Sequence, residues 1–156
     1  SLSEILKAAS LAPSAGNFQA WEFIVVKDAA LKLEICKAAS NQTFVREAPI
    51  NIVVCVNQNW YSEGYGRRGK ELFSICDASA ATENLLLAAH GLGLGSCWVG
   101  DFKDEVISEL LGLPENVRPV AIVPIGYSDK TPQSRVKRPL EDQVHTEKYG
   151  IKQAFS

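Results

Sequence analysis

The chain has 156 residues, of which 46% are hydrophobic and 22% are charged, and its formal net charge at neutral pH is −2. This length fits one domain of roughly 100–200 residues, and the composition is typical of a globular chain. Proteins that bind nucleic acid or anionic membranes carry a basic excess, so the slightly acidic balance argues against both partners. No run of about 18 apolar residues occurs, which argues against a transmembrane helix.

Helices and strands are predicted in alternation along the chain. Ser1 and Glu4 form a capping-box pattern before the first helix, and Asp28 is a candidate N-cap for the second. The predicted elements, in chain order, are a helix from residue 2 to about 12, a strand over 21–26, a helix over 29–39, a strand over 50–56, a helix over 72–90, a strand over 96–99, a helix over 101–111 and a strand over 119–125.

The two apolar strands differ in the pairing that they predict. Residues 50–56 are apolar on both faces, which is typical of a central strand. Residues 119–125 contain proline, which predicts incomplete pairing. Because strands and helices alternate, we expect helices packed on a mixed sheet. The segment 127–156 is polar and is predicted to wrap over the body or over a partner subunit.

The cysteines Cys36, Cys55, Cys76 and Cys97 are far apart in sequence. No CxxC pair and no histidine cluster accompanies them, so no zinc or iron–sulfur site is predicted. Cys55 lies in an apolar run and is interpreted as a small buried side chain. All four are interpreted as reduced structural thiols, which favours a reducing compartment such as the cytoplasm.

The familiar catalytic motifs do not occur in the sequence. It holds neither a nucleophile elbow nor a P-loop. The glycines over 91–95 follow a helix, so they are interpreted as a helix end rather than as a dinucleotide loop. Asp77 and Glu83 are six residues apart on the long helix and share no face well, so a solvated or capping role is predicted for both.

Two polar segments remain as candidate sites. Ser14, Asn17 and Gln19 lie in a dense turn between a helix and an apolar strand, where they either satisfy turn backbone groups or face a ligand. Residues 134–139 carry three basic side chains, which form either a solvated patch or a phosphate site without a P-loop. The residues alone leave both alternatives open.

Taken in order, these segments resemble the nitroreductase-like family of FMN-dependent flavoproteins. The matching motifs are APSAGNFQAWEFIVV at 12–26, EAP at 47–49, DASAATENLLLAAHGLG at 77–93, CWVG at 97–100, LLGLP at 110–114, IGY at 125–127 and PLE at 139–141. In the family an Arg-rich segment precedes the first motif. Here that motif begins at residue 12, which is interpreted as trimming or processing, and Ala20 replaces the usual proline.

The resemblance implies a single nitroreductase-like α+β domain over 1–156, with a mixed central sheet sandwiched by helices and an extended tail over 127–156. It further implies an intertwined homodimer with FMN at each interface. The implied activity is a ping-pong NAD(P)H oxidoreductase, in which hydride reaches flavin N5 and then a nitroaromatic, quinone or similar acceptor. Because the cofactor carries the redox chemistry, no catalytic side chain is expected.

The resemblance also assigns residues to the cofactor. The turn residues Pro13, Ser14, Ala15, Asn17 and Gln19 are expected at the ribityl chain and ring, and Asn41 at the pyrimidine edge. The segment Trp98, Val99 and Gly100 is expected near flavin N5, and the phosphate is expected at Arg135, Lys137 and Arg138.

The loop over 57–70 is expected to be a mobile lid over the acceptor. Its aromatic side chains Trp60, Tyr61 and Tyr65 offer flat surfaces for stacking, although a solvated connector explains the same composition. Two other functions stay open from the sequence. One is a flavin-binding or flavin-storage protein without significant turnover, and the other is a cofactor-free scaffold that retains the fold.

Overall fold

The computed structural model describes residues 1–61 and 64–152. Its helices are α1 (Leu2–Ser10), α2 (Ala29–Ala38), α3 (Thr43–Glu47), α4 (Gly66–Arg68), α5 (Ser74–Gly91), α6 (Asp104–Leu111) and α7 (Leu140–Gln143). Its strands are β1 (Trp21–Val26), β2 (Ile50–Asn57), β3 (Gly95–Ser96) and β4 (Val117–Gly126). Single 3₁₀ turns lie at Ala15–Asn17 and Gln58–Tyr61, and a π-helical turn at Gly69–Phe73 leads directly into α5.

The helix ends follow the local signals in the sequence. The carboxylate of Asp28 accepts a hydrogen bond from the Leu31 N–H at 2.8 Å, which confirms the predicted N-cap of α2. Gly112 ends α6 in the left-handed region, with a φ of 63°, where only glycine avoids a Cβ clash. Helix α5 ends at Gly91, so the glycines after it form a helix end as predicted.

The four strands form one sheet in the order β1-β2-β4-β3, and all three pairings are antiparallel. The expectation of a mixed sheet is therefore wrong for the described residues, because strand direction depends on connections that a strand pattern does not encode. Strand β2 is central, as predicted. Strand β4 pairs with β2 along its length but with β3 only at Gly126 and Ile125, which confirms its incomplete pairing.

Helices cover both faces of the sheet, which confirms the expected sandwich. On one face the alternate β2 residues Ile52, Val54 and Val56 pack against the buried side chains of α1 and α5. On the other face Val53 and Cys55 pack with the buried residues of α2, α3 and α6. Because both faces are covered, β2 is apolar at every buried position except Asn51.

The chain beyond β4 behaves differently from the body. Residues 127–143 are exposed throughout, and α7 is the single helix that the structure assigns between residues 127 and 152. The side chains of Tyr127 and Val136 are 89% and 101% exposed. The segment therefore adds little to the core of its own chain, and residues 153–156 of the predicted tail lie outside the described residues. Among the described helices, none is both long and apolar enough to cross a membrane.

Candidate functional site

The turn between α1 and β1 holds its backbone in an unusual conformation. Gly16, Asn17 and Gln19 have φ values of 58°, 58° and 51°. For residues with a Cβ, this left-handed region costs of order 1–3 kcal/mol and persists only where the surroundings impose it. The peptide N–H of Gln19 donates to Ser14 Oγ at 3.1 Å, and Gln19 Nε2 donates to Asn17 Oδ1 at 3.1 Å. The turn is thus braced internally and keeps the Asn17 and Gln19 side chains exposed.

A buried carboxylate on α5 anchors this turn. Asp77 is 6% exposed, and its Oδ1 and Oδ2 accept hydrogen bonds from the Ala15 N–H at 3.2 and 3.0 Å. Its Oδ2 also accepts a hydrogen bond from the Tyr61 hydroxyl. The solvated or capping role predicted for Asp77 is therefore wrong. The signal was the position of Asp77 beside the small buried residues Ala78 and Ala81, on the face of α5 that enters the core.

Aromatic contacts join the same turn to the loop after β2. Phe18 meets the rings of Tyr61 and Tyr65 edge-on, with centroid distances of 5.5 and 5.8 Å. Tyr65 in turn meets Phe73 edge-on at 5.2 Å. A Cβ at Gly16 would lie 3.0 Å from the Tyr65 hydroxyl oxygen. The structure therefore brings the predicted flavin turn and the predicted lid together as one packed unit.

The three aromatic residues assigned to the lid have different environments. Trp60 and Tyr65 are 56% and 41% exposed, whereas Tyr61 has no exposed surface. Burial, together with the hydrogen bond to Asp77, raises the pKa of Tyr61 above its usual range. The prediction that the Tyr61 ring stacks on an acceptor is therefore wrong in this conformation, because the ring is buried between the turn and α5. For the exposed Trp60 and Tyr65 the stacking role stays a prediction.

The segments that contain the assigned residues Asn41 and Gly100 are joined through Asp101. Ser40 and Asn41 also have left-handed backbones, with φ values of 55° and 56°. Ser40 Oγ donates to Asp101 Oδ2 at 2.8 Å, and Gln42 Nε2 donates to the Asp101 carbonyl at 3.4 Å. These bonds hold the segment of Asn41 against the segment that contains Gly100. Sequence reasoning missed Ser40 and Asp101, whose only signal was their position next to assigned residues.

The segment over 98–100 lies beside the sheet. Val99 is 2% exposed, and its backbone exchanges hydrogen bonds of 2.9 and 3.0 Å with Ile122. Trp98 is 37% exposed. Gly100 lines a cavity of about 170 Å³ together with Ile75, near the start of α5, and Arg118. Gly100 therefore lies close to the beginning of α5.

A larger groove lies elsewhere. Its volume is about 820 Å³, and it is lined by the end of α3, the end of α5, β3 and the first tail residues, including Pro49, His90, Cys97 and Tyr127. None of the residues assigned to the cofactor lines it. This groove therefore does not coincide with the cofactor site that the family resemblance implies.

The basic tail residues make no hydrogen bond or ion pair with the described residues of the turn. Arg138 Nη2 donates to the Asp142 carbonyl at 3.3 Å. Arg135 and Lys137 make no hydrogen bond or ion pair with any other described residue. A phosphate site built from the turn and the tail would therefore need the tail of another subunit or another tail conformation. No group of three metal-ligating side chains is found between residues 1 and 61 or between 64 and 152.

Comparison with known proteins gives one consistent result. Residues 1–43 and 33–127 match the model of the Nitroreductase family. An Archaeoglobus fulgidus protein, named for NADH dehydrogenase and NAD(P)H nitroreductase activity, is 39% identical over 95% of this chain and 85% of its own. The structure of Bacillus megaterium NfrA2 superposes with a TM-score of 0.88 at 29% identity, covering 95% of this chain and 65% of that one.

A further relative has been solved with a bound nicotinamide nucleotide. The NADPH:FMN oxidoreductase from Vibrio harveyi, solved in complex with NAD+, superposes with a TM-score of 0.86 at 26% identity. The match covers 99% of this chain and 69% of the Vibrio chain. The chain thus spans most of the archaeal relative but about two thirds of these two longer chains.

Proposed function

This chain belongs to the nitroreductase family, and we propose that it is an NAD(P)H-dependent oxidoreductase that uses FMN. Relatives named FMN reductase (NADPH) in Bacillus subtilis and NADPH-flavin oxidoreductase in Vibrio harveyi support this proposal, at 26% and 27% identity. Bound FMN supplies the redox chemistry, which is hydride acceptance from NAD(P)H at N5 and, in a ping-pong cycle, electron transfer to a nitroaromatic, quinone or similar acceptor.

The observation that carries the proposal is the strained turn over residues 13–19. Strained backbone tends to accumulate at ligand sites, where it presents groups that a relaxed turn would not. Here the buried carboxylate of Asp77 anchors the turn through the Ala15 N–H, and the side chains of Asn17 and Gln19 are left exposed. Amide side chains offer both donors and acceptors, which suits the hydroxyls of a ribityl chain and the edge of a flavin ring.

Other residues of this chain would complete the cofactor site. The left-handed Asn41, held beside Gly100 through Asp101, suits the polar edge of the ring, and Val99 and Gly100 offer backbone groups beside it. Arg135 and Lys137, which have no partner among the described residues, suit the phosphate. Pro13 and Ser14 set the turn that orients the amides, and the ring face would be open to Trp60 and Tyr65.

A homodimer would bring these parts together. The groove of about 820 Å³ is lined by none of the assigned residues, and residues 127–143 of the tail are exposed rather than packed on their own body. Exposed apolar side chains, including Leu87, Leu92 and Leu140, offer area for such an interface. We propose that the tail of one subunit reaches the turn of the other and encloses the cofactor between them.

Anaerobic titration of the purified, FMN-loaded protein with NADH and with NADPH tests the function. We expect a yellow protein whose flavin absorbance is bleached by at least one nucleotide and restored by a quinone or nitroaromatic. A protein that stays yellow with both nucleotides would instead be a flavin-binding protein without turnover. A colourless protein that takes up no added FMN would be a scaffold, and either result would overturn the proposal.

A further inference from the structure

We propose that the side chains of Arg67, Arg68 and Lys70, here called the basic turn, bind the 2′-phosphate of NADPH. The basic turn thereby makes the enzyme select NADPH over NADH, two substrates that differ only by this phosphate. The inference rests on the proposed oxidoreductase function, because it names the electron donor of that reaction. It uses a different surface from the tail residues that were assigned to the FMN phosphate.

The basic turn concentrates positive charge in a chain that is slightly acidic overall. Three cations occur within four residues, and all three side chains are exposed. Glu71 is the acidic side chain that contacts them, since Arg67 Nε donates to its two carboxylate oxygens at 2.8 and 2.9 Å. Arg68 and Lys70 make no ion pair within residues 1–61 and 64–152. Counted over the described residues alone, these side chains have a positive excess beside the flavin turn.

Close packing fixes the basic turn in place. Gly69 is buried, and a Cβ there would lie 2.6 Å from Tyr65 Cβ and 3.0 Å from Tyr61 Cβ. The Lys70 carbonyl accepts hydrogen bonds from Ser74 Oγ at 2.6 Å and from Gln58 Nε2 at 3.3 Å. The backbone that carries the cations is thus held on both sides, so little loop ordering would be needed when an anion binds.

The same contacts connect the basic turn to the flavin turn. Tyr61, on which Gly69 packs, donates its hydroxyl hydrogen bond to Asp77, and Asp77 holds the Ala15 N–H. On the outer side, the Arg68 guanidinium lies 5.5 Å from the centre of the Phe73 ring, which restricts its orientation. The cations therefore sit a few side chains away from the exposed amides of the flavin turn, rather than among them.

This separation decides which substrate fits. A quinone or nitroaromatic acceptor is small and flat, and it reacts in contact with the ring, so cations set back from the ring contribute little to it. NADPH joins a reacting ring to a remote group of nearly two negative charges. A phosphate of this kind accepts several charge-assisted hydrogen bonds, and arginine binds it in a planar, two-donor geometry. The basic turn suits that remote group.

The kinetic test compares wild type with Arg67→Gln/Arg68→Gln, with Lys37→Gln as the control. Lys37 forms an exposed pair with Glu34 at 2.7 Å on α2, much as Arg67 does with Glu71. Loss of charge-assisted contacts of this kind corresponds to roughly a tenfold to hundredfold fall in kcat/KM. We expect that fall in kcat/KM for NADPH in the double variant. The kcat/KM of the double variant for NADH and for the acceptor, and that of the control variant for NADPH, should change by less than about twofold.

Binding of two adenosine nucleotides gives a readout without turnover. Adenosine 2′,5′-bisphosphate carries the 2′-phosphate and cannot donate a hydride, and AMP lacks that phosphate. By calorimetry we expect the bisphosphate to bind wild type and Lys37→Gln with equal affinity, and to bind the double variant at least tenfold more weakly. For none of the three proteins should AMP bind more tightly than the bisphosphate.

The outcomes separate the two proposals. If neither nicotinamide nucleotide bleaches the flavin, the proposed function fails, whereas bisphosphate binding still tests the basic turn. If wild type bleaches but prefers NADH, or if the double variant keeps both its preference for NADPH and its affinity for the bisphosphate, the basic turn is not the 2′-phosphate site. A fall with NADH as large as that with NADPH would also overturn the inference.

Discussion

Removing the Tyr61 hydroxyl tests how firmly the buried carboxylate holds the turn. In Tyr61→Phe the ring and its edge contact with Phe18 remain, but Asp77 keeps only the Ala15 N–H as a donor among the described residues. A hydrogen bond to a charged group contributes roughly 1.5–3 kcal/mol, and Asp77 at 6% exposure gains little from water in exchange. In a domain of this size, 1 kcal/mol shifts the Tm by about 2–4 °C, so we expect a fall of about 3–12 °C.

The pH dependence distinguishes loss of this hydrogen bond from a simple packing defect. A packing defect would lower the stability equally at all pH values, whereas loss of the hydroxyl changes how the stability depends on pH. Burial and Asp77 raise the pKa of Tyr61 in the folded state, whereas an unfolded tyrosine titrates near about 10. The stabilisation is therefore complete below about pH 10 and declines as the pH rises, because only the unfolded state then loses the proton. Between pH 8 and pH 11 the advantage of wild type over Tyr61→Phe should shrink by about 1.4 kcal/mol.

Urea unfolding of both proteins at the two pH values measures this difference. Tyr149→Phe is the matched control, because Tyr149 is 93% exposed and loss of its hydroxyl should change the stability by less than about 0.5 kcal/mol. Equal stability of wild type and Tyr61→Phe at pH 8 would refute the anchoring role of the hydrogen bond. An advantage that grows with pH would refute the assigned direction of the pKa shift.

Three further outcomes are expected. In Arg135→Ala/Lys137→Ala, the Kd for FMN should rise at least tenfold while the Kd for riboflavin, which has no phosphate, changes little; equal losses in fluorescence titration would contradict the phosphate assignment. Trp60→Ala should lower the rate with a bulky acceptor but leave FMN affinity intact, and an unchanged rate with every acceptor would make the loop a connector. Gly69→Ala should lower the free energy of unfolding by about 1–3 kcal/mol, because the added Cβ would overpack against two tyrosines. Gly91→Ala is the control and should be neutral or slightly stabilising, since no atom lies within 4 Å of its added Cβ. Similar denaturation midpoints for the two variants would show that the tyrosines can move to accommodate a Cβ at position 69.

Local patterns predicted most of the fold. The strand pattern at residues 50–56, the N-cap at Asp28 and the proline in β4 each depend on neighbours in sequence, and each prediction is confirmed. Strand direction was predicted wrongly because it depends on how distant segments connect. The same limit explains why the role of Asp77 was predicted wrongly. Its main-chain partner Ala15 lies 62 residues away in sequence, so Asp77 looked like an ordinary polar residue on a helix.

The site shows this limit more clearly than the fold. Polar residues in the turn were recognisable because several occur together, and a family resemblance gave them roles. Tyr61 looked like its neighbours Trp60 and Tyr65, since all three lie in a polar, glycine-rich loop. Only the packing of Gly69 against Tyr61, and the hydroxyl contact with Asp77, separates the buried ring from the exposed ones. A sequence pattern carries no information on such contacts.

The left-handed residues at positions 17, 19, 40 and 41 have a consequence for protein engineering. Glycine at any of them would relieve steric strain, and single substitutions that relieve strain or fill cavities commonly stabilise proteins by about 0.5–2 kcal/mol. A library screened for heat resistance alone would therefore enrich Asn17→Gly and Asn41→Gly, and the survivors would lose the amides that we propose to contact the flavin. Selection for thermal tolerance in this scaffold should be paired with a flavin-retention screen, because heat resistance and cofactor recognition compete at the same backbone positions.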